Sequence, residues 1–271
     1  MTAAEAALGW STPLAASGLV VPRLALGTGT RGWERASDQT RLGRAEFVRL
    51  MRHGIDRGAA FIDAADLYGS HEFTRATLRE VPRERLTLLT KIWFGEAPKM
   101  TPTRTARPEV ERFLSELGTD YLDIVLIHMV TKPGWPSELE RMRDELSRLK
   151  QDGIVRAIGC SCHTHAALEV AAQHPWVDVI LARINPGGKN MDPDASIDQV
   201  RATLRGARAR GKAVIGMKVY GNGQWVTPEQ RRESLRTAFE GGLVDAVTIG
   251  HVSTDQLDDT CQNLERVLGA G

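Results

Sequence analysis

The nine residues Tyr121–Met129, YLDIVLIHM, set four aliphatic side chains in unbroken succession between Asp123 and His128. A strand with one wet face alternates apolar and polar residues, so this run reads as a strand buried on both faces, as in a parallel sheet covered by helices. The same reading applies to RLALG (23–27), AAFIDA (59–64), LTLLTKI (86–92), VRAIGCS (155–161), VDVILARIN (177–185), AVIGMKV (213–219) and DAVTIGHV (245–252). Amphipathic stretches separate them, several opening on Ser, Thr or Pro and most closing on Gly, the usual helix punctuation. In residues 139–152 the helical period places Leu139, Met142, Leu146 and Leu149 on one stripe. Strand-like and helix-like runs in alternation argue for the α/β class. Eight units without a linker argue for one closed (β/α)8 TIM barrel spanning residues 1–271, with residues 10–21 forming a small hairpin ahead of it. An open doubly wound sheet would call for G-x-G-x-x-G after the first strand. GTGTRGW (27–33) has glycines at 27, 29 and 32 only and does not open a helix.

Composition narrows the function. The chain has 271 residues, 35 basic and 34 acidic, for a net charge of +1. That balance gives no electrostatic reason to expect nucleic acid or a membrane surface as partner. No window approaches the roughly 18 unbroken apolar residues of a membrane span. Three cysteines do not make a disulfide framework and suit a reducing cytoplasm. The first residues carry Glu5 and no basic start, so they do not read as a signal peptide. A cytoplasmic location is expected.

In such barrels chemistry gathers at the C-terminal ends of the strands. There the sequence sets Asp63 and Tyr68 (strand two), Lys91 (strand three) and His128 (strand four). Each has a bland reading alone, but four at one layer are less easily accidental. A phenol, whose ordinary pKa is about 10, is a poor acid at neutral pH. An ammonium about 4 Å away, worth roughly 4 kcal/mol at an effective dielectric of 20, would lower it. Asp63 would supply the counter-charge, and His128 would orient a carbonyl oxygen beside the Tyr68 hydroxyl. This is a general-acid device aimed at a carbonyl.

With FIDAADLYGS (61–70), LLTKIWF (88–94), LGTDYLDIVLIH (117–128) and LKQDGIVRAIGCS (149–161), the chain resembles the aldo-keto reductases over nearly its whole length. The resemblance implies hydride transfer from NADPH, or NADH, to a small carbonyl substrate. Tyr68 would be the proton donor, Asp63 and Lys91 its tuning pair, and His128 the carbonyl-orienting group. Along the cofactor it places Gly29, Thr30, Ser161, Cys162, Met217 and Lys218, then Ser253, Gln256, Asp259 and Thr260 after strand eight. Several depart from the family habit. Cys162 replaces Asn, Leu181 replaces Gln, Met217 replaces a stacking aromatic residue, and no Arg or Lys meets a 2′-phosphate after strand eight. With Asp255 and Asp259 nearby, only a modest NADPH preference is expected. Trp33 and Trp93 are candidate pocket walls. With so few residues after the last helix-like run, the long C-terminal segment that narrows the pocket in many members is not expected here.

Other readings stay open. A barrel lyase or aldolase would use Lys91 or Lys218 as a Schiff base. A non-catalytic nicotinamide-binding subunit would keep the barrel without needing the acid. Cys160, Cys162 and His163 lack distant partners for a metal site, and no metal is expected.

Overall fold

A computed structural model of the chain describes residues 10–98, 100–187 and 190–269. Strands β1 (Ser11–Pro13) and β2 (Val20–Pro22) form a two-stranded antiparallel hairpin. Eight parallel strands then close into a barrel: β3 (Leu24–Gly27), β4 (Phe61–Asp63), β5 (Thr87–Ile92), β6 (Leu122–Val130), β7 (Val155–Cys162), β8 (Val179–Arg183), β9 (Ala213–Met217) and β10 (Ala246–Gly250). The seam is the β10–β3 pairing, Val247 opposite Leu24 through Gly250 opposite Gly27.

Helices alternate with the strands. They are α1 (Asp38–Arg41) and α2 (Arg44–Asp56) after β3, α3 (His71–Leu78), α4 (Arg107–Leu117), α5 (Trp135–Glu138) and α6 (Glu140–Gln151), α7 (His165–Gln173), α8 (Ile197–Ala209), α9 (Pro228–Phe239) and α10 (Thr254–Leu268). Hydroxyl caps start several of them. Ser196 and Thr227 each accept the N–H of the residue three ahead, Gln199 and Gln230, whose side chains return the contact. The stripe expected over 139–152 is buried as predicted, although the helix breaks at Leu139, between α5 and α6.

Side chains leave each strand to alternate faces, so a doubly buried strand feeds two cores. Ile124 and Leu126 point into the barrel with Phe61, Leu89, Leu181 and Ile215, while Val125 and Ile127 pack outward against the helices. Leu14 and Val21 of the hairpin region join the inner cluster, so the hairpin plugs the barrel.

The N-terminal ends of three strands share a device that the apolar pattern does not announce. Asp123 accepts the Leu88 N–H at 2.9 Å, Asp178 the Ile158 N–H at 3.0 Å, and Asp245 the Val214 N–H at 2.8 Å. Each carboxylate thus clasps a neighbouring strand, and each is neutralised by cations: Arg83 and Arg156, Lys150, and Arg208 respectively. A buried N–H left without its acceptor costs about 1–3 kcal/mol. Asp245→Ala is therefore expected to lose about that much stability while sparing the opposite face. Urea unfolding checks this, and an unchanged midpoint would show that the clasp is dispensable.

Candidate active site

At the C-terminal mouth the barrel brings Asp63, Tyr68, Lys91 and His128 together. Asp63 ends β4 and pairs across the sheet with Leu89, which puts Lys91 two residues further along the same face of β5. Lys91 is fully buried. Its ammonium donates to an Asp63 carboxylate oxygen (Oδ1) and, at 3.0 Å, to the Ala64 carbonyl. Thr248 of β10 donates to the other Asp63 oxygen at 2.8 Å. Tyr68 lies on a short 3-10 turn, Asp66–Tyr68, past β4. Its ring faces the Lys91 Nζ, 4.9 Å from the ring centroid, and its hydroxyl is 3.2 Å from His128 Nε2.

Two glycines make room for the tyrosine. A Cβ on Gly29 would lie 2.3 Å from Tyr68 Cε2, and one on Gly32 would lie 2.5 Å from Cδ1. The glycine-rich segment after β3 is thus a slot for the ring. Trp93 stands edge-on to His128 at 5.9 Å, and Trp33 edge-on to Trp93 at 5.6 Å, forming an aromatic wall beside the hydroxyl.

Burial governs the proton inventory. It raises the Tyr68 hydroxyl above the ordinary phenol range, with the Asp63 charge adding to the effect. Lowering by the ammonium was the expectation, but Lys91 is committed to Asp63 and desolvation prevails. Burial also pulls Lys91 below its usual value, against the pull of Asp63. His128 is held well below the ordinary imidazole value by burial, then by the charges of Lys91, His163 and Lys218. A neutral phenol therefore faces a neutral imidazole. His128 Nδ1 is buried without a partner, and an idle lone pair costs less there than an idle N–H. The proton accordingly belongs on Nε2, facing the Tyr68 oxygen.

A cavity of about 540 Å³ opens beside these groups, within the usual range for ligand pockets. Asp63, Tyr68, Leu181, Met217 and Thr248 line it, and so do Gly29, Thr30, Lys218, Arg231, Gln256 and Thr260.

Comparison with known families matches residues 23–237 to the aldo/keto reductase family. The chain belongs to that family. Among curated relatives, methylglyoxal reductase DkgB of Escherichia coli O157:H7 is 30% identical over 131 residues, an alignment covering 46% of this chain and 45% of that protein. Aldo-keto reductase YhdN of Bacillus subtilis is 29% identical over 218 residues, covering 74% of this chain and 62% of that one. These alignments span less than two thirds of either relative. A solved aldo-keto reductase structure from Pseudomonas aeruginosa superposes with a TM-score of 0.77 at 24% identity, covering 95% of each chain, a likeness of fold.

Of the residues that the family resemblance assigns to the cofactor, Gly29, Thr30, Met217, Lys218, Gln256 and Thr260 line the cavity. The other four are engaged within the protein. Cys162 packs with Cys160 in the outer core, because both share the outward face of β7. Ser161 faces inward but its oxygen accepts the Met129 N–H at 2.8 Å. Ser253 caps α10 by accepting the Gln256 N–H. Asp259 is bound by Arg231, whose Nε donates to it at 2.6 Å.

Thr248 and Arg231 are among the cavity residues that the sequence pattern did not single out. Thr248 was detectable as the polar residue of AVTIG, sharing the face of Ala246 and Gly250. Arg231 was not, because it comes from α9, 28 positions before Asp259.

Two outcomes follow for this aldo/keto reductase. Gly29→Ala should push the Tyr68 ring out of its slot at a cost of about 1–3 kcal/mol. A crystal structure of the variant with the ring unmoved would refute that reading. Stability should also fall in acid. Besides His128, burial depresses His163 to about 3 and His251 to about 4. The unfolded chain binds those protons near pH ~6.5, so stability present above that pH is lost as pH drops toward the folded values. Unfolding midpoints measured from pH 7 to pH 4.5 should decline, and a flat profile would contradict the buried neutral imidazoles.

Proposed function

We propose that this aldo/keto reductase is an NAD(P)H-dependent carbonyl reductase, turning a small aldehyde or ketone into an alcohol with Tyr68 as general acid. The observation that carries the reading is the 3.2 Å approach of the Tyr68 hydroxyl to His128 Nε2, over the buried Lys91–Asp63 pair. Relatives bear names of the same chemistry: methylglyoxal reductase in Escherichia coli, and dihydrodiol dehydrogenase 3 in Bos taurus.

The residues present suit a nicotinamide dinucleotide. The cavity runs past Gly29 and Gly250, whose lack of side chains leaves Tyr68 and Thr30 in place along its wall; a Cβ on Gly250 would lie 2.1 Å from Thr30 Oγ1. Its cationic lining groups include Lys218 and Arg231, suited to phosphates. A dinucleotide held there would supply the hydride for the carbonyl carbon. Met217 offers a polarisable thioether against a flat ring. With the Tyr68 hydroxyl and His128 Nε2 3.2 Å apart, a carbonyl oxygen bound beside them would accept from both. As charge grows on that oxygen, Tyr68 gives up its proton. Lys91, beside the phenol ring, stabilises the phenolate that results, and Asp63 with Thr248 keeps Lys91 in place. Trp33 and Trp93 wall the substrate side and favour an apolar substituent.

A Schiff-base role for Lys91 finds no support, since its ammonium is buried and already bonded to Asp63 and Ala64. A purely regulatory subunit would have no use for an assembled acid.

We assign NADPH as the preferred cofactor. The sequence argued for weak discrimination because no Arg or Lys stands at the usual anchor positions after strand eight and Asp255 and Asp259 would repel a 2′-phosphate. Arg231 neutralises Asp259 and is oriented by it, with Nη1 donating to the Val226 carbonyl at 2.7 Å. Nη2 remains as a donor for an anion in the cavity.

Tyr68→Phe should lose about 10²–10⁴-fold in kcat with cofactor affinity nearly unchanged. Retention of a tenth of the activity would remove Tyr68 as donor. Arg231→Gln should raise the Kd for NADPH at least tenfold, about 1.4 kcal/mol, and move that for NADH less than twofold. Fluorescence titration separates the two, and equal changes would exclude a 2′-phosphate contact.

A further inference from the structure

The register of β6 against β7 slips once, next to His128. Ile127 pairs with Cys160 and Val130 with Cys162, so three steps on β6 face two on β7. Such a bulge inserts one extra residue and re-aims the chain around it. The inserted residue is Met129, with φ 58°, in the left-handed region that a methionine seldom adopts. That conformation persists only where its surroundings hold it.

The support is visible. The Met129 N–H, which the slipped ladder leaves unpaired, donates to Ser161 Oγ at 2.8 Å. Ser161 is fully buried and faces the barrel interior, since Cys160 and Cys162 on either side belong to the outer core. Beyond the bulge the Val130 carbonyl accepts the His163 N–H at 2.9 Å, and pairing resumes. The buried His128 side chain has little else to fix it by hydrogen bonding. Its Nδ1 has no partner, and its ring touches Tyr68 and the edge of Trp93. Where Nε2 points therefore depends on the backbone that carries the imidazole.

We infer that Ser161 is a positioning residue for carbonyl reduction: its hydroxyl holds the left-handed turn at Met129 and thereby sets His128 Nε2 beside the Tyr68 hydroxyl. This differs from a direct contact with the cofactor, and it rests on the reading of His128 as the carbonyl-orienting group.

The two roles separate in a double variant. Glycine adopts positive φ without steric cost, so Met129→Gly makes the turn independent of its support. Four proteins, Ser161→Ala, Ser161→Thr, Met129→Gly and Met129→Gly/Ser161→Ala, are compared in kcat, KM for a carbonyl substrate and Kd for NADPH. Ser161→Ala should lose at least tenfold in kcat with KM and the NADPH Kd within twofold of the parent. Ser161→Thr, which keeps the hydroxyl, should retain most of the activity. The double variant should return to within threefold of Met129→Gly alone. A tenfold rise of the NADPH Kd in Ser161→Ala, unrelieved in the double variant, would overturn the inference in favour of a cofactor contact. Unchanged kcat in Ser161→Ala would overturn it outright. The imidazole NMR signals of His128, read in the same proteins, should shift in Ser161→Ala and return in the double variant whatever the turnover. His128→Asn with wild-type kcat would instead defeat the parent reading, which keeps the two failures distinct.

Discussion

A lysine ammonium with no exposure to solvent sits at the centre of this molecule, and the Asp63 carboxylate makes that burial possible. Breaking such a pair typically costs about 3–5 kcal/mol, since it strands the remaining charge. The pair therefore imposes conditions on the barrel around it. The β4–β5 register must bring residues 63 and 91 to one face, and the ladder from Phe61–Thr87 to Asp63–Leu89 does so. The second Asp63 oxygen needs a donor as well. Thr248 provides it from β10, a strand that reaches β4 only because the sheet closes through β3. Closure of the barrel and completion of the site are one event.

The two ends of the barrel are built by different rules. At the N-terminal end Asp123, Asp178 and Asp245 tie neighbouring strands, and Leu14 and Val21 fill the interior. These carboxylates are answered by the protein itself. At the C-terminal end regularity is given up: the Gly29–Gly32 segment opens a slot, β6 bulges at Met129, and Lys218 takes φ 57° as β9 ends. Polar atoms such as His128 Nδ1 and the Trp93 and Trp225 indole nitrogens are left without partners. These departures lie where a ligand would be received, and the clasped end supplies the stability that tolerates them; others, such as Ala15 at φ 37° and the Trp135 indole nitrogen, lie elsewhere.

Electrostatics at the mouth departs from what pairwise reasoning suggests. Considered alone, an ammonium beside a phenol makes the phenol more acidic. In the folded chain the ammonium belongs to Asp63, and loss of solvent outweighs its pull on Tyr68. The resting tyrosine thus stays protonated. In the proposed reaction its acidity would be called upon only as negative charge develops on the substrate oxygen, which is when a general acid is needed.

The sequence by itself determined the barrel, because eight doubly buried runs alternating with amphipathic stripes have few other ways to hide their apolar faces. It also determined which polar side chains stand at strand ends, since position along a strand is a local property: Asp63, Lys91 and His128 could be read off, with Tyr68 five residues past Asp63. What it could not determine were relations between distant segments. That Cys162 faces the helices while Ser161 faces inward depends on strand parity, which one residue of uncertainty reverses. The bulge at Met129 exists only as a mismatch between two strands, so neither strand announces it. Arg231 and Asp259 become one unit only when α9 packs beside α10. That Gly29 and Gly32 make room for the Tyr68 ring likewise depends on a residue some forty positions away. Burial, register and charge pairing are sums over neighbours that the chain acquires only on folding, and tertiary structure alone assigns those neighbours.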